Sequence, residues 1–351
     1  MLARLLPTCL VGSYPQPEWL IDRTRLSKQV PRVRVRDLWL VAPDTLEVAQ
    51  DDATLLAIRR QEEAGIDIVS DGEQARIHFV HGFLANLDGI DFARRQTIGI
   101  RADRYKAEVP TVTGPIRRKG PVHKLEASAA RAHTKRKLKF TLPGPMTIAD
   151  TIADEHYRDR PTLAQAFAAA LNEEARELER LGIDVVQFDE PAFNVYMRDV
   201  KEWGVAALER AALGLRCRTA VHICYGYGIK ANTDWKATLG EHWRQYEETF
   251  PALAASRIDQ VSLECRNAHV PMELIGLLKG KDVLIGCIDV ASNVVETPQE
   301  VADTIRAALD YVHPERLYPC TNCGMAPMPS EIAYAKLAAL AAGAELARKA
   351  L

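Results

Sequence analysis

The chain has 351 residues, enough for two ordinary domains or one large α/β barrel. Apolar residues make up 47% and charged residues 26%, the balance of an ordinary globular protein, which argues against a disordered chain, a collagen or a disulfide scaffold. Lys and Arg number 45 against 47 Asp and Glu, so the net charge of −2 offers no overall positive field to draw in nucleic acid or anionic lipid.

In chain order, short β-rich runs are expected at residues 10–13, 67–70, 138–142, 185–188, 219–224, 260–264, 283–288 and 317–320. Between them, Ala-, Leu- and Glu-rich stretches with helical spacing fall at 46–64, 163–181, 235–255, 298–311 and 331–347. Residues 62–73 and 179–190 resemble each other: a helix ends near Gly65 or Gly182, an Ile/Val strand follows, and carboxylates appear where it stops. Eight such alternations predict a single (β/α)8 TIM barrel rather than a doubly wound sheet. An inserted hairpin and short helix are expected around residues 90–137, where Val, Thr and Tyr alternate with basic residues. No low-complexity linker divides the chain, so residues 1–351 are expected to form one domain.

No stretch has the 18 or more consecutive apolar residues of a membrane span, and the N-terminus lacks a cleavage-site pattern and reads as mature sequence. Seven scattered cysteines form an odd set, which suits thiols in a reducing compartment and predicts a cytoplasmic protein.

In a barrel, chemistry collects at the C-terminal ends of the strands. Those ends carry Ser13, Asp71 and Glu73, Asp189 and Glu190, His222 and Cys224, Glu264 and Cys265, Asp289, then Cys320 and Cys323. His222 and Cys224, two apart on a predicted strand, point to one face. With Glu264 and Cys323 they make an N, O, S, S set that suits tetrahedral Zn2+ and not Mg2+ or Ca2+. Any one of them alone reads more readily as a core residue; the conjunction favours a metal. The Cys320-x-x-Cys323 spacing by itself also fits a redox pair.

Seven motifs then fall in one order: Gly-Ser-Tyr-Pro-Gln at 12–16, Asp-Gly-Glu at 71–73, Leu-Pro-Gly-Pro-Met-Thr-Ile at 142–148, Gln-Phe-Asp-Glu-Pro at 187–191, His-Ile-Cys at 222–224, Ser-Leu-Glu-Cys at 262–265 and Asn-Cys-Gly at 322–324. Together they resemble the C-terminal catalytic barrel of cobalamin-independent methionine synthase, over nearly the whole chain and without that family's additional N-terminal barrel. The resemblance implies zinc on His222, Cys224, Glu264 and Cys323, activating the thiol of homocysteine for methylation to methionine. It also implies that Val11, Gly12, Ser13, Glu73 and Asp189 hold the amino-acid part of that substrate. Glu190 is expected to be structural.

Two positions depart from the family. The long enzymes carry a His that protonates the folate leaving group, where this chain has Ala291, and a Trp that stacks on the pterin, where it has Thr151. Both losses fall on the methyl donor, so the expected donor is not a folate but a methylcorrinoid protein or a small methylated metabolite, with an accessory protein conceivable. The basic runs at 117–119 and 135–139 are candidate docking surfaces for it. The alternative reading is a zinc-dependent alkyltransferase or C–S lyase acting on a different thiol.

Overall fold

Seven parallel strands form one curled sheet: β1 (Ile68–Ser70), β4 (Lys137–Pro143), β6 (Val185–Asp189), β7 (Arg218–His222), β8 (Gln260–Glu264), β9 (Asp282–Ile288) and β10 (Leu317–Thr321), adjacent in that order. β2 (Leu87–Ile100), β3 (Tyr105–Arg118) and β5 (Ala153–Asp154) form a second, three-stranded sheet. These relations come from a computed structural model that describes residues 4–28, 38–227 and 230–351. Residues 1–3, part of the expected mature N-terminus, lie outside the described residues.

The strands of the main sheet are buried along nearly their whole length; β9 is a continuous apolar run, whereas along β4 and β8 the polar Lys139, Thr141, Gln260 and Ser262 alternate with apolar residues and are buried too. Helices cover the sheet. Helix Arg160–Arg180 starts on Asp159, whose side chain accepts from Thr162 N–H, and helix Pro298–Leu309 starts on a reciprocal capping box between Thr297 and Glu300. Among the described residues no helix is long and apolar enough to cross a membrane.

Three expectations change in detail. The segment predicted as the first strand makes only an isolated parallel bridge, Cys9 to Ile68, although Cys9 N–H also donates to Pro319 O at 3.1 Å on the far edge strand. Pro319 has no N–H of its own, so the ladder on that edge lacks one donor. The helix expected over 235–255 is two, Lys230–Ala237 and Gln245–Ala255, parted by a turn containing Gly240 at φ +74. The insertion is a long antiparallel hairpin, β2 with β3, and a helix at Lys124–His133, as expected from residue 90 onward but beginning at Leu87.

Candidate metal centre and its cavity

Because the seven strands are parallel, their C-terminal ends open on one side, into a cavity of about 340 Å3. Val11, Ser13, Glu73, Asp189, His222, Cys224 and Cys323 all line it. Asp189 and His222 are register partners on β6 and β7. Cys224 lies two residues beyond the end of β7 rather than on it, and Cys323 two residues beyond β10.

His222, Cys224 and Cys323 offer ligand atoms that all lie within 4.8 Å of one another. The imidazole Nδ1 contacts Ser262 Oγ at 2.7 Å, while its Nε2 is buried with no hydrogen-bond partner among the described residues. A buried polar atom without a partner is costly, and this nitrogen beside two thiols is a donor set that could hold a soft divalent metal. The neighbouring Cys323 thiol, then the His222 ring, hold the Cys224 thiol well below its ordinary pKa against the effect of burial. Burial opposes the charged form of His222, but Cys224, Asp189 and Glu264 together raise its pKa.

Glu264 is fully buried and outside that trio. Its carboxylate accepts from Tyr225 N–H and Tyr227 O–H, both at 2.7 Å, and burial pushes its pKa up to about 7. Its charge acts on both Cys224 and Cys323.

On the opposite wall, Glu73 Oε1 accepts from Thr141 O–H at 2.9 Å, and Glu73 itself sits at φ 57, a strained value for a non-glycine residue. Gly12 does not line the cavity but is the only residue type that fits there: a Cβ would lie 2.5 Å from Thr141 Cγ2 and 2.8 Å from Glu73 Oε1. Asp189 Oδ1 accepts from Gln187 Nε2 at 2.8 Å, and the same amide reaches Val11 O. Burial raises Asp189 to about 7. The last loop is tied to the first: Thr321 Oγ1 accepts from Val11 N–H and donates to Cys323 O, while Met325 N–H donates to Ser13 O.

Glu190 faces away from this chemistry. It accepts from Met146 N–H, Thr147 N–H and Thr147 O–H and so holds the start of helix Pro145–Asp150. The basic runs do not form one surface: Lys139 is buried against Leu10 O and Cys9 Sγ, and Arg118 pairs with the buried Glu174. The cavity also holds Tyr225, Tyr227 and Trp235, aromatics that follow the His222 strand in the sequence, and three residues that no strand-end pattern flags, Arg101, Arg104 and Tyr105 from the hairpin.

The family described as "Cobalamin-independent synthase, Catalytic domain" matches residues 6–346. The chain belongs to that family. It is 31% identical to a methionine synthase of Sulfolobus acidocaldarius, over 99% of this chain and 94% of the relative. A methionine synthase of Saccharolobus solfataricus is 30% identical, over 99% and 96%. Among solved structures, a B12-independent methionine synthase from Shewanella sp. W3-18-1, in complex with selenomethionine, superposes with a TM-score of 0.92 at 53% identity, covering 99% of each chain. Membership makes this protein an enzyme, a methyltransferase of the methionine synthase type that acts on homocysteine.

Proposed function

We propose that the protein methylates L-homocysteine at a zinc centre formed by His222, Cys224, Glu264 and Cys323, using a methyl donor that is not a folate. The observation that carries the reading is the unpartnered, buried His222 Nε2 beside two thiols, in the wall of a cavity that also presents Glu73 and Asp189. Glu264 completes the ligand set: its oxygens each have a second lone pair, so ligation is compatible with the bonds from Tyr225 and Tyr227. Zinc, when bound, lowers the pKa of a coordinated thiol so that the substrate sulfur is a thiolate at neutral pH. Glu73 and Asp189 receive the α-ammonium group, and Ser13 receives the α-carboxylate, with Val11 in the same wall and Gly12 leaving room for Glu73. The Shewanella relative's bound selenomethionine supports an amino-acid site of this kind.

The donor half rests on what two residues lack. Ala291 is exposed and offers no proton, its N–H donating to Asp289 Oδ1; Thr151 is buried, with its hydroxyl bonded to the Thr147 and Ile148 carbonyls. Neither lines the cavity. A methylcorrinoid protein or a small methylated metabolite, with or without an accessory protein, replaces the folate. The architecture is read as one eight-stranded (β/α)8 barrel over residues 1–351, with the segment around Cys9 as its first strand. Its seven free thiols accord with the cytoplasm.

X-ray absorption at the zinc edge, with and without homocysteine, tests the acceptor half. A sulfur neighbour gained on homocysteine addition supports the reading. A metal shell that ignores homocysteine but responds to another thiol transfers the site to a different alkyl acceptor, and zinc absent from the purified protein refutes the centre.

A further inference from the structure

The hairpin β2–β3 turns at residues 101–104, and its tip is unusual: Arg101, Ala102 and Asp103 have φ of 54°, 54° and 60°. Three successive non-glycine residues in the left-handed region are sterically disfavoured and persist only where surrounding contacts impose them. Those contacts are present. Arg101 ion-pairs with the buried Asp150, and Ala102 N–H donates at 2.7 Å to Tyr196 Oη, whose hydroxyl donates at 2.6 Å to the same Asp150. The pinned turn sets Arg101, Arg104 and Tyr105 into the wall of the cavity.

The charges at this rim do not balance. Arg101 and Arg160 both pair with Asp150, and Arg104 has no carboxylate partner among the described residues. Its Nη1 donates to Asn232 Oδ1 at 3.1 Å, its guanidinium lies 3.5 Å from the Trp235 ring centre, and its Nε is buried without a partner. Two guanidinium groups therefore share one carboxylate, and a third, Arg104, lines the open cavity paired with none among the described residues. The aromatic surfaces nearby are already used by cations: Arg104 covers Trp235, which also stacks on Tyr225, and Lys236 Nζ sits 3.7 Å over the Tyr227 ring. An ammonium or sulfonium donor finds those ring faces occupied and meets like charge.

We propose that Arg104 is the anion-receiving residue of the methyl-donor half of the site, binding a carboxylate or phosphate group of the donor at the cavity mouth while Arg101 fixes the turn. This rests on the homocysteine methyltransferase reading and adds the charge class of the donor to it.

The test titrates the full-length, zinc-loaded, homocysteine-saturated protein by calorimetry with inorganic phosphate, succinate and choline, and repeats the titrations on Arg104→Gln and Arg104→Lys. At least one anion is expected to bind saturably, to weaken by about tenfold or more in Arg104→Gln and to recover in Arg104→Lys, with no saturable binding of choline. Preference for phosphate or for succinate identifies which anion the rim is built for. The proposal is overturned if neither anion binds, if Arg104→Gln binds as the parent does, or if choline binds as well as the anions. The zinc-edge response to homocysteine, recorded on the parent and on Arg104→Gln, separates the two failures: loss in both strikes the methyltransferase reading, whereas its retention confines the failure to Arg104.

Discussion

Ser262 Oγ lies 2.7 Å from His222 Nδ1 and also accepts the backbone N–H of Ile223 at 3.2 Å, so one hydroxyl fixes both the ring and the strand end that carries it. A ligating imidazole depends on such a partner for its tautomer and orientation. Ser262→Ala is expected to leave the protein folded but to weaken zinc by roughly 10–100-fold. Competition against a chromophoric chelator measures this, and an unchanged affinity would show that the ring is held by other means.

The two cysteines of the Cys-x-x-Cys spacing part company in space. Cys323 belongs to the trio with His222 and Cys224, whereas Cys320 is buried beside Cys9, Leu284 and Ala220 inside the sheet. Cys323→Ser is expected to lower zinc content and activity together, and Cys320→Ser to leave zinc content unchanged. Metal analysis of the two purified variants decides it, and the reverse pattern would move the fourth ligand to Cys320.

Much of this was legible in the chain because short β-rich runs alternate with helical stretches, and the carboxylates, His222 and thiols stand where those runs stop. What escaped was the hairpin tip. Residues 101–104 contain no Gly or Asn to announce a left-handed turn, and the conformation is imposed by Asp150 and Tyr196, far along the chain. The Arg104–Trp235 contact joins residues 131 apart, so no local pattern points to it. Glu264 was placed with the metal by strand order alone; its bonds to Tyr225 and Tyr227 depend on the loop after β7, which has no periodicity to read.

On the proposed reading, Glu73 and Asp189 are expected to make separable contributions to substrate binding. Truncating a charge-assisted hydrogen bond costs about 1.5–3 kcal/mol, so Glu73→Gln is expected to raise KM for homocysteine by roughly 10–100-fold with zinc content intact. Gly12→Ala is expected to mimic it, because the new methyl group would press on Thr141 and on the Glu73 carboxylate. Steady-state kinetics on both variants, with zinc measured in parallel, checks the pair. If Glu73→Gln leaves KM unchanged, the ammonium group is held elsewhere.

Burial lowers His81 to about 4, and its Nδ1 has no partner among the described residues. The unfolded chain binds a proton at this residue near pH 6.5, which the fold refuses until about pH 4. The neutral form is therefore the folded one, and its contribution is complete above pH 6.5 and lost as the pH falls from there towards 4. The loss is on the order of 3 kcal/mol at the acid end. Urea unfolding at pH 7.5 and pH 5 is expected to show a smaller acid loss in His81→Leu than in the parent; equal losses would assign the acid sensitivity to other groups.

The folate argument has a structural corollary at its two positions. Ala291 is exposed outside the cavity, so Ala291→His alone is expected to leave turnover on methyltetrahydrofolate at background. Thr151 is buried, with its hydroxyl bonded to the carbonyls of Thr147 and Ile148 in the turn before it. Thr151→Trp would force an indole into filled space and is expected to destabilise the fold by about 1–3 kcal/mol, without creating a stacking platform. The non-folate reading thus rests on the packing of helix Pro145–Asp150 as well as on one missing imidazole. Methyl transfer from methyltetrahydrofolate to homocysteine by the parent enzyme, assayed beside Ala291→His, is the measurement. Turnover by the parent as fast as with any other donor would end the non-folate reading, whereas a gain only in Ala291→His would show that proton delivery alone was missing.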